Sequence, residues 1–169
     1  IEKQATENET LGGKYIRPIV LFQAQPRGKE DAATFQRLKE QLVEGGIPRE
    51  QIAIKTADVN ELKNIDLLSR NCEIRYIITV NALKEGWDCP FAYILATLAN
   101  KTSKVDVEQV VGRVLRQPHA EQHNQPLLNN AYVLTCSNEF AATLDDIVCA
   151  LNAAGFSKKV VNIETLLKI

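Results

Sequence analysis

The chain has 169 residues, of which 45% are hydrophobic and 24% charged, with a formal net charge of −1. That length and apolar content suit one domain with its own core, and the near-neutral balance excludes a globally basic nucleic-acid binder, so any phosphate contact must come from locally placed cations. No apolar run reaches membrane-span length and no signal peptide is visible, so the expectation is a cytoplasmic protein without a membrane partner.

Residues 1–16 are polar, with Gly12 and Gly13 adjacent, and are expected to be a linker or arm ahead of a domain over 17–169. "PIVLFQAQ" is an apolar run rich in β-formers and predicts a first strand buried on both faces. "EDAATFQRLKEQLVE" sets Phe35, Leu38 and Leu42 at helical spacing, and Gly45, Gly46 and Pro48 stop it. "QIAIKT", "EIRYIITV" and "FAYILATL" predict three more strands. A helix is expected around 104–117, opened by a capping box of Ser103 and Asp106. "AYVLTC" predicts a fifth strand, and "EFAATLDDIVCALNAA" a helix with Phe140, Leu144, Ile147, Val148 and Leu151 on its apolar stripe. Beyond Gly155 the sequence offers only a tail. Strands and helices alternate, which predicts an α/β fold: a mostly parallel sheet with helices on both faces, in three layers. In such sheets ligands bind beyond the carboxyl ends of the strands, which directs attention to the segments after Gln25, Thr56, Val80 and Leu98.

Several familiar sites are missing from the sequence. There is no G-x-x-x-x-G-K-[ST] phosphate loop, no G-x-G-x-x-G after a strand and no G-x-S-x-G elbow. Cys72, Cys89, Cys136 and Cys149 form no Cys-x-x-Cys pair and are expected to be core thiols rather than zinc ligands. His119 and His123 lie four apart, but in "QPHAEQHNQP" they fall between prolines, where a surface loop is expected; no metal site is anticipated. Methionine is absent, and since translation begins with one, the expectation is a piece of a longer chain.

Two segments carry chemistry. In "TVNALKEGWDCP", Asp88 follows Gly86 just past a strand; a carboxylate there accepts hydrogen bonds from a ribose hydroxyl or an arginine, or is the polar residue of an ordinary turn. In "VEQVVGRVLRQP", Val107, Val110, Val111, Val114 and Leu115 form one apolar stripe, while Gln109, Arg113 and Arg116 share a second face together with Gly112. Glycine costs a helix interior roughly 1 kcal/mol relative to alanine, so the position implies a need for space. Two guanidiniums one turn apart suit phosphate oxygens; the alternative is a solvated basic face.

"QVVGRVLR" resembles motif VI (Q-x-x-G-R-x-x-R) of superfamily 2 helicases, "TVNALKEGWDCP" resembles their motif V, and "VLFQAQPR" stands in the place of motif IV. More narrowly, "EGWDCP", "ATLANKTS" and "VEQVVGRVLRQP" resemble the helicase (Res) subunit of type III restriction enzymes, over roughly residues 15–156. The resemblance implies the second, C-terminal RecA-like lobe of an ATP-driven motor on nucleic acid, expected to be double-stranded DNA. ATP and Mg²⁺ would be held mainly by an N-terminal RecA-like lobe carrying the phosphate loop, and a methyltransferase (Mod) subunit is an implied partner. It implies that Arg113 and Arg116 reach the γ-phosphate, with Arg116 as arginine finger, that Gln109 binds near the phosphates and that Gly86 and Asp88 lie beside the ribose. It further implies that Gln23, Gln25, Thr79 and Asn81 lie near the strand-binding face. The alternative is a non-catalytic α/β module that binds an anion or a protein through the same arginines.

Overall fold

Short runs of isoleucine, valine, leucine and tyrosine build the strands, because branched and aromatic side chains pack well on a pleated surface. The computed structural model describes residues 1–24, 35–80, 87, 89–98, 105, 107–109, 112, 119, 121–135, 137–153 and 161–165. The strands are β1 (Ile19–Gln23), β2 (Ile52–Lys55), β3 (Tyr76–Thr79), β4 (Ala92–Thr97), β5 (Ala131–Thr135) and β6 (Val161–Thr165). They form one six-stranded sheet in the order β2-β3-β1-β4-β5-β6, and every pairing is parallel.

A parallel sheet must be covered on both faces. Phe22, Ile52, Ile54 and Ile78 join Phe35, Leu38 and Leu42 of helix α2 (Phe35–Glu44) on one side. Leu21, Ile77, Leu95 and Val133 meet Val107 and Phe140, Leu144 and Ile147 of helix α3 (Asn138–Ala153) on the other. Each such side chain taken from water stabilises the fold by roughly 1.5–3 kcal/mol before entropy is counted. The result is three layers, as the alternation of elements predicts. Among the described residues no helix is long and apolar enough to cross a membrane.

The amino edge of the sheet is closed. The polar arm expected over residues 1–16 contains a helix, α1 (Glu2–Thr10), whose Ala5 is buried in the core. Glu2 pairs with Arg75 at 3.1 Å just before β3, and Gln4 accepts from the Leu127 amide at 3.0 Å shortly before β5. Glu9 pairs with Arg70, and Lys14 with Glu121. Lys14 holds the Glu121 carboxyl below its usual pKa. Arg17 is fully buried and donates to the carbonyls of Ser69 and Leu67, which ties the β2–β3 connection beneath β1. Tyr15 and His119 each meet Phe91 edge-on, at centroid distances of 6.1 and 5.8 Å. Burial pushes the Tyr93 phenol well above its usual pKa, so it stays a donor to the Leu128 carbonyl at 3.2 Å.

Four local expectations need correction. β6 lies where only a tail was expected: five residues with alternating polarity carry little signal alone, and the ladder to β5 makes them a strand. The arm is helical although its sequence has no apolar stripe, because tertiary contacts hold it. His119 is exposed as a surface loop requires, but His123 is buried, with its backbone in a reciprocal pair with the Asn129 amide at 2.7 Å. Cys89 is a buried thiol, whereas Cys72 is half-buried and Cys149 is exposed on α3. Cys136 and the capping residues Ser103 and Asp106 lie outside the described residues.

Candidate functional site at the carboxyl edge of the sheet

The face of the sheet beneath α3 changes character in a single step along the strands. One register row is apolar on every strand: Ala53, Ile77, Leu21, Leu95, Val133 and Ile163. Two residues further, towards the carboxyl ends, the row reads Lys55, Thr79, Gln23, Thr97, Thr135 and Thr165. Because side chains alternate with period two, both rows lie on the same face. Five of these, Lys55, Thr79, Gln23, Thr97 and Thr135, form a polar terrace at one level of the sheet, where open α/β folds take their ligands.

Four residues of the terrace are buried, and three of them take part in hydrogen bonds that order it. Gln23, Thr79, Thr97 and Thr135 are 3%, 0%, 1% and 1% exposed. Thr97 Oγ1 donates to Gln23 Oε1 at 3.0 Å. Thr135 Oγ1 accepts from the Ser137 amide at 3.1 Å, and Ser137 Oγ accepts from the Phe140 amide at 3.2 Å, which caps α3. The ladder runs on past the strands, with Ala24 N donating to Thr79 O at 2.8 Å and Leu98 N to Gln23 O at 2.9 Å. Thr79 Oγ1 is buried and has no hydrogen-bond partner among the described residues. A buried hydroxyl in that state costs stability by roughly 1–3 kcal/mol, so it marks either strain or a missing ligand.

Of the residues singled out from sequence, Gln23 and Thr79 occupy adjacent places on this terrace. Val107 is fully buried while Gln109 and Gly112 are exposed, which agrees with the expected faces at those three positions; Val110, Val111, Val114 and Leu115 lie outside the described residues. A Cβ at Gly112 would meet nothing within 4 Å among the described residues. Trp87, between Gly86 and Asp88 in sequence, is half-buried and packs against the core. Gln25, Asn81, Gly86, Asp88, Arg113 and Arg116 lie outside the described residues. Among the described residues, no group of three His, Cys, Asp or Glu side chains is placed to hold a metal.

Thr97 and Thr135 were missed in the sequence. The signal was present as a pattern repeated over four strands, Leu21-x-Gln23, Ile77-x-Thr79, Leu95-x-Thr97 and Val133-x-Thr135. It becomes meaningful only once parallel register aligns the strands.

No family model matches the chain, and no curated protein matches it. Among solved structures it is similar to the C-terminal domain of the DEAD-box protein Dbp5, with a TM-score of 0.50 at 15% identity over 95% of this chain and 81% of that one. The fold is that of a RecA-like C-terminal helicase domain. The chain is also similar to a variant Dbp5 C-terminal domain from S. cerevisiae in complex with a Gle1 variant and IP6, with a TM-score of 0.45 at 16% identity, covering 97% and 83% of the two chains.

Proposed function

We propose that the domain is the second motor lobe of an ATP-dependent helicase or translocase, and that the parent is the Res subunit of a type III restriction enzyme acting on double-stranded DNA. The observation that carries this reading is the polar terrace of Gln23, Thr79 and Thr97 at the carboxyl edge of a RecA-like sheet. Two further observations support it. An exposed Gln109 and a Gly112 uncrowded by the described residues follow β4, and the segments that resemble motifs IV, V and VI come in that order along the sequence.

The chemistry is divided between two lobes. ATP and Mg²⁺ would be held mainly by a first lobe with a phosphate loop, which this sequence lacks. Arg113 and Arg116 would neutralise charge that develops on the γ-phosphate, and Gln109 would bond near the phosphates. Gly86 and Asp88 would flank the ribose, while Gln23, Gln25, Thr79 and Asn81 would face the nucleic-acid strand. An arginine finger is worth roughly 10³–10⁵ in rate, and one carried on the opposite lobe acts only when the cleft is closed. Hydrolysis then alternates closed and open lobes and moves this one along a strand, through backbone contacts that ignore sequence. A Mod subunit and a cytoplasmic location belong to the same reading.

The test is Arg116→Ala in the full-length protein. Nucleic-acid-stimulated ATP hydrolysis is expected to fall by roughly 10³ or more, with thermal stability little changed. Turnover near wild type would overturn the finger assignment and favour the anion-binding module.

A further inference from the structure

α1 is a helix that its own sequence does not support. Nine residues make too short a helix to persist alone in water. No side chain caps its first turn. The Thr6 and Thr10 hydroxyls donate back to the Glu2 and Thr6 carbonyls at 3.2 and 2.9 Å, bonds that do not favour a helix. Its buried residues are Ala5 and Asn8, whereas α3 sets Phe140, Leu144 and Ile147 into the same core. Charge at its flank does much of the holding. Glu2 pairs with Arg75 at 3.1 Å and Glu9 with Arg70, and the two glutamates, two turns apart, share one face of the helix. Both pairs are open to water, with the Glu2 and Arg70 side chains each 66% exposed. Ion pairs of this kind are weak and screened by salt.

The far end of α1 closes on itself. The Gly13 amide donates to the Asn8 carbonyl at 2.8 Å, and Asn8 Nδ2 donates to the Lys14 carbonyl at 3.2 Å, across a turn in which Gly12 takes a φ of +86°. A Cβ at Gly13 would collide with the Asn8 side chain, so this close approach requires glycine. The adjacent glycines that read as a linker are therefore a turn that folds the segment back as one piece.

We propose that residues 1–14 form a strap that docks on the amino edge and leaves it as a unit, and that its release lengthens the chain joining this lobe to the one before it. The lengthening rests on the motor-lobe reading, in which a first lobe precedes this one; the strap itself does not. Helix and docking are coupled, because α1 off the edge has too little to keep it helical and unwinds as it leaves. Its nine residues span about 14 Å as a helix and about 30 Å when extended. A docked strap thus holds the two lobes on a short tether, and a released one lets the cleft open further.

The experiment is hydrogen exchange of the full-length protein, read on peptides from α1 and, as an internal control, from β1 and β4. The α1 amides are expected to exchange at least roughly 100-fold faster than those of the two strands, yet more slowly than in an unstructured chain. Raising salt to about 1 M should speed α1 exchange several-fold in the wild type, because the Debye length falls to about 3 Å. Glu2→Lys with Glu9→Lys, and separately Gly13→Ala, should speed it about tenfold or more with β1 and β4 unchanged. Thr6→Ala with Thr10→Ala raises helix propensity at two exposed positions and should slow it several-fold. The strands report in the same measurement, so a misfolded variant is recognised, and the salt effect needs no variant. The two releasing changes should also raise KM for ATP several-fold with kcat changed less, since a longer tether lowers the effective concentration of one lobe at the other.

Exchange of α1 in step with β1 and β4, or indifferent to both salt and charge reversal, overturns the strap. An α1 without protection in the wild type overturns its docking. Faster exchange with an unchanged KM overturns the tether role and leaves the strap standing. If the wild type shows no nucleic-acid-stimulated ATP turnover, the motor-lobe reading falls and takes the tether with it, while exchange still decides the strap.

Discussion

Thr79 is a residue whose cost and use pull in opposite directions. Its hydroxyl is 0% exposed and meets no partner among the described residues, at a position where valine would fill the same space. Removing an unsatisfied buried hydroxyl relieves its desolvation penalty, so Thr79→Val is expected to stabilise the domain by about 1 kcal/mol. The same change removes a donor beside Gln23 and is expected to weaken nucleic-acid binding several-fold. Chemical denaturation and anisotropy on one variant check both halves; a variant that is destabilised and binds normally would make Thr79 a core residue and nothing more. At this scale the sequence named Gln23 and Thr79 through their places after apolar runs, but it gave no reason to group Thr97 with them. Thr97 stands 74 positions from Gln23, and only the β1–β4 pairing makes them neighbours.

Elements were legible where periodicity is long or the apolar run is dense. α2, α3 and the first five strands fall where their side chains predict, because each buries a continuous stripe or both faces. α1 and β6 were not legible for the opposite reason: each is weak alone and is held by partners distant in sequence. The helical residues after β4 present a separate question in Gly112. Among the described residues the space around it is open, so Gly112→Ala should meet no clash with them and should gain the helix roughly 0.5–1 kcal/mol. The melting temperature is expected to rise by a few degrees on that basis. If the space serves a nucleotide or the facing lobe, ATP turnover of the full-length protein should fall as stability rises. Unchanged turnover would reduce Gly112 to an incidental residue on a solvated face.

At the scale of the whole molecule, the amino edge of the sheet is sealed by α1, Arg17 and the Tyr15–Phe91–His119 contacts, while the carboxyl edge ends in polar side chains. On the proposed motor-lobe reading that asymmetry leaves one edge for function, and without a phosphate loop this edge would supply only part of a phosphoryl-transfer site, since binding the phosphates and neutralising their charge must happen on facing walls. The isolated 169-residue domain is therefore expected to show no ATP hydrolysis above background in a phosphate-release assay, with or without nucleic acid. Clear turnover by the domain alone would overturn the divided site.

The sequence by itself determined the alternation of strands and helices, the parallel α/β class and the two-faced helix of Gln109 and Gly112, because these follow from spacing within one segment. It also put Gln23 and Thr79 at the ends of strands. Tertiary structure alone decided that residues 2–10 close the amino edge, that Val161–Thr165 extends the sheet, and that polar residues from five strands lie at one level. The physical reason is register: a hydrogen bond such as Thr97 to Gln23 depends on how strands far apart in the chain align, and no local pattern encodes that alignment.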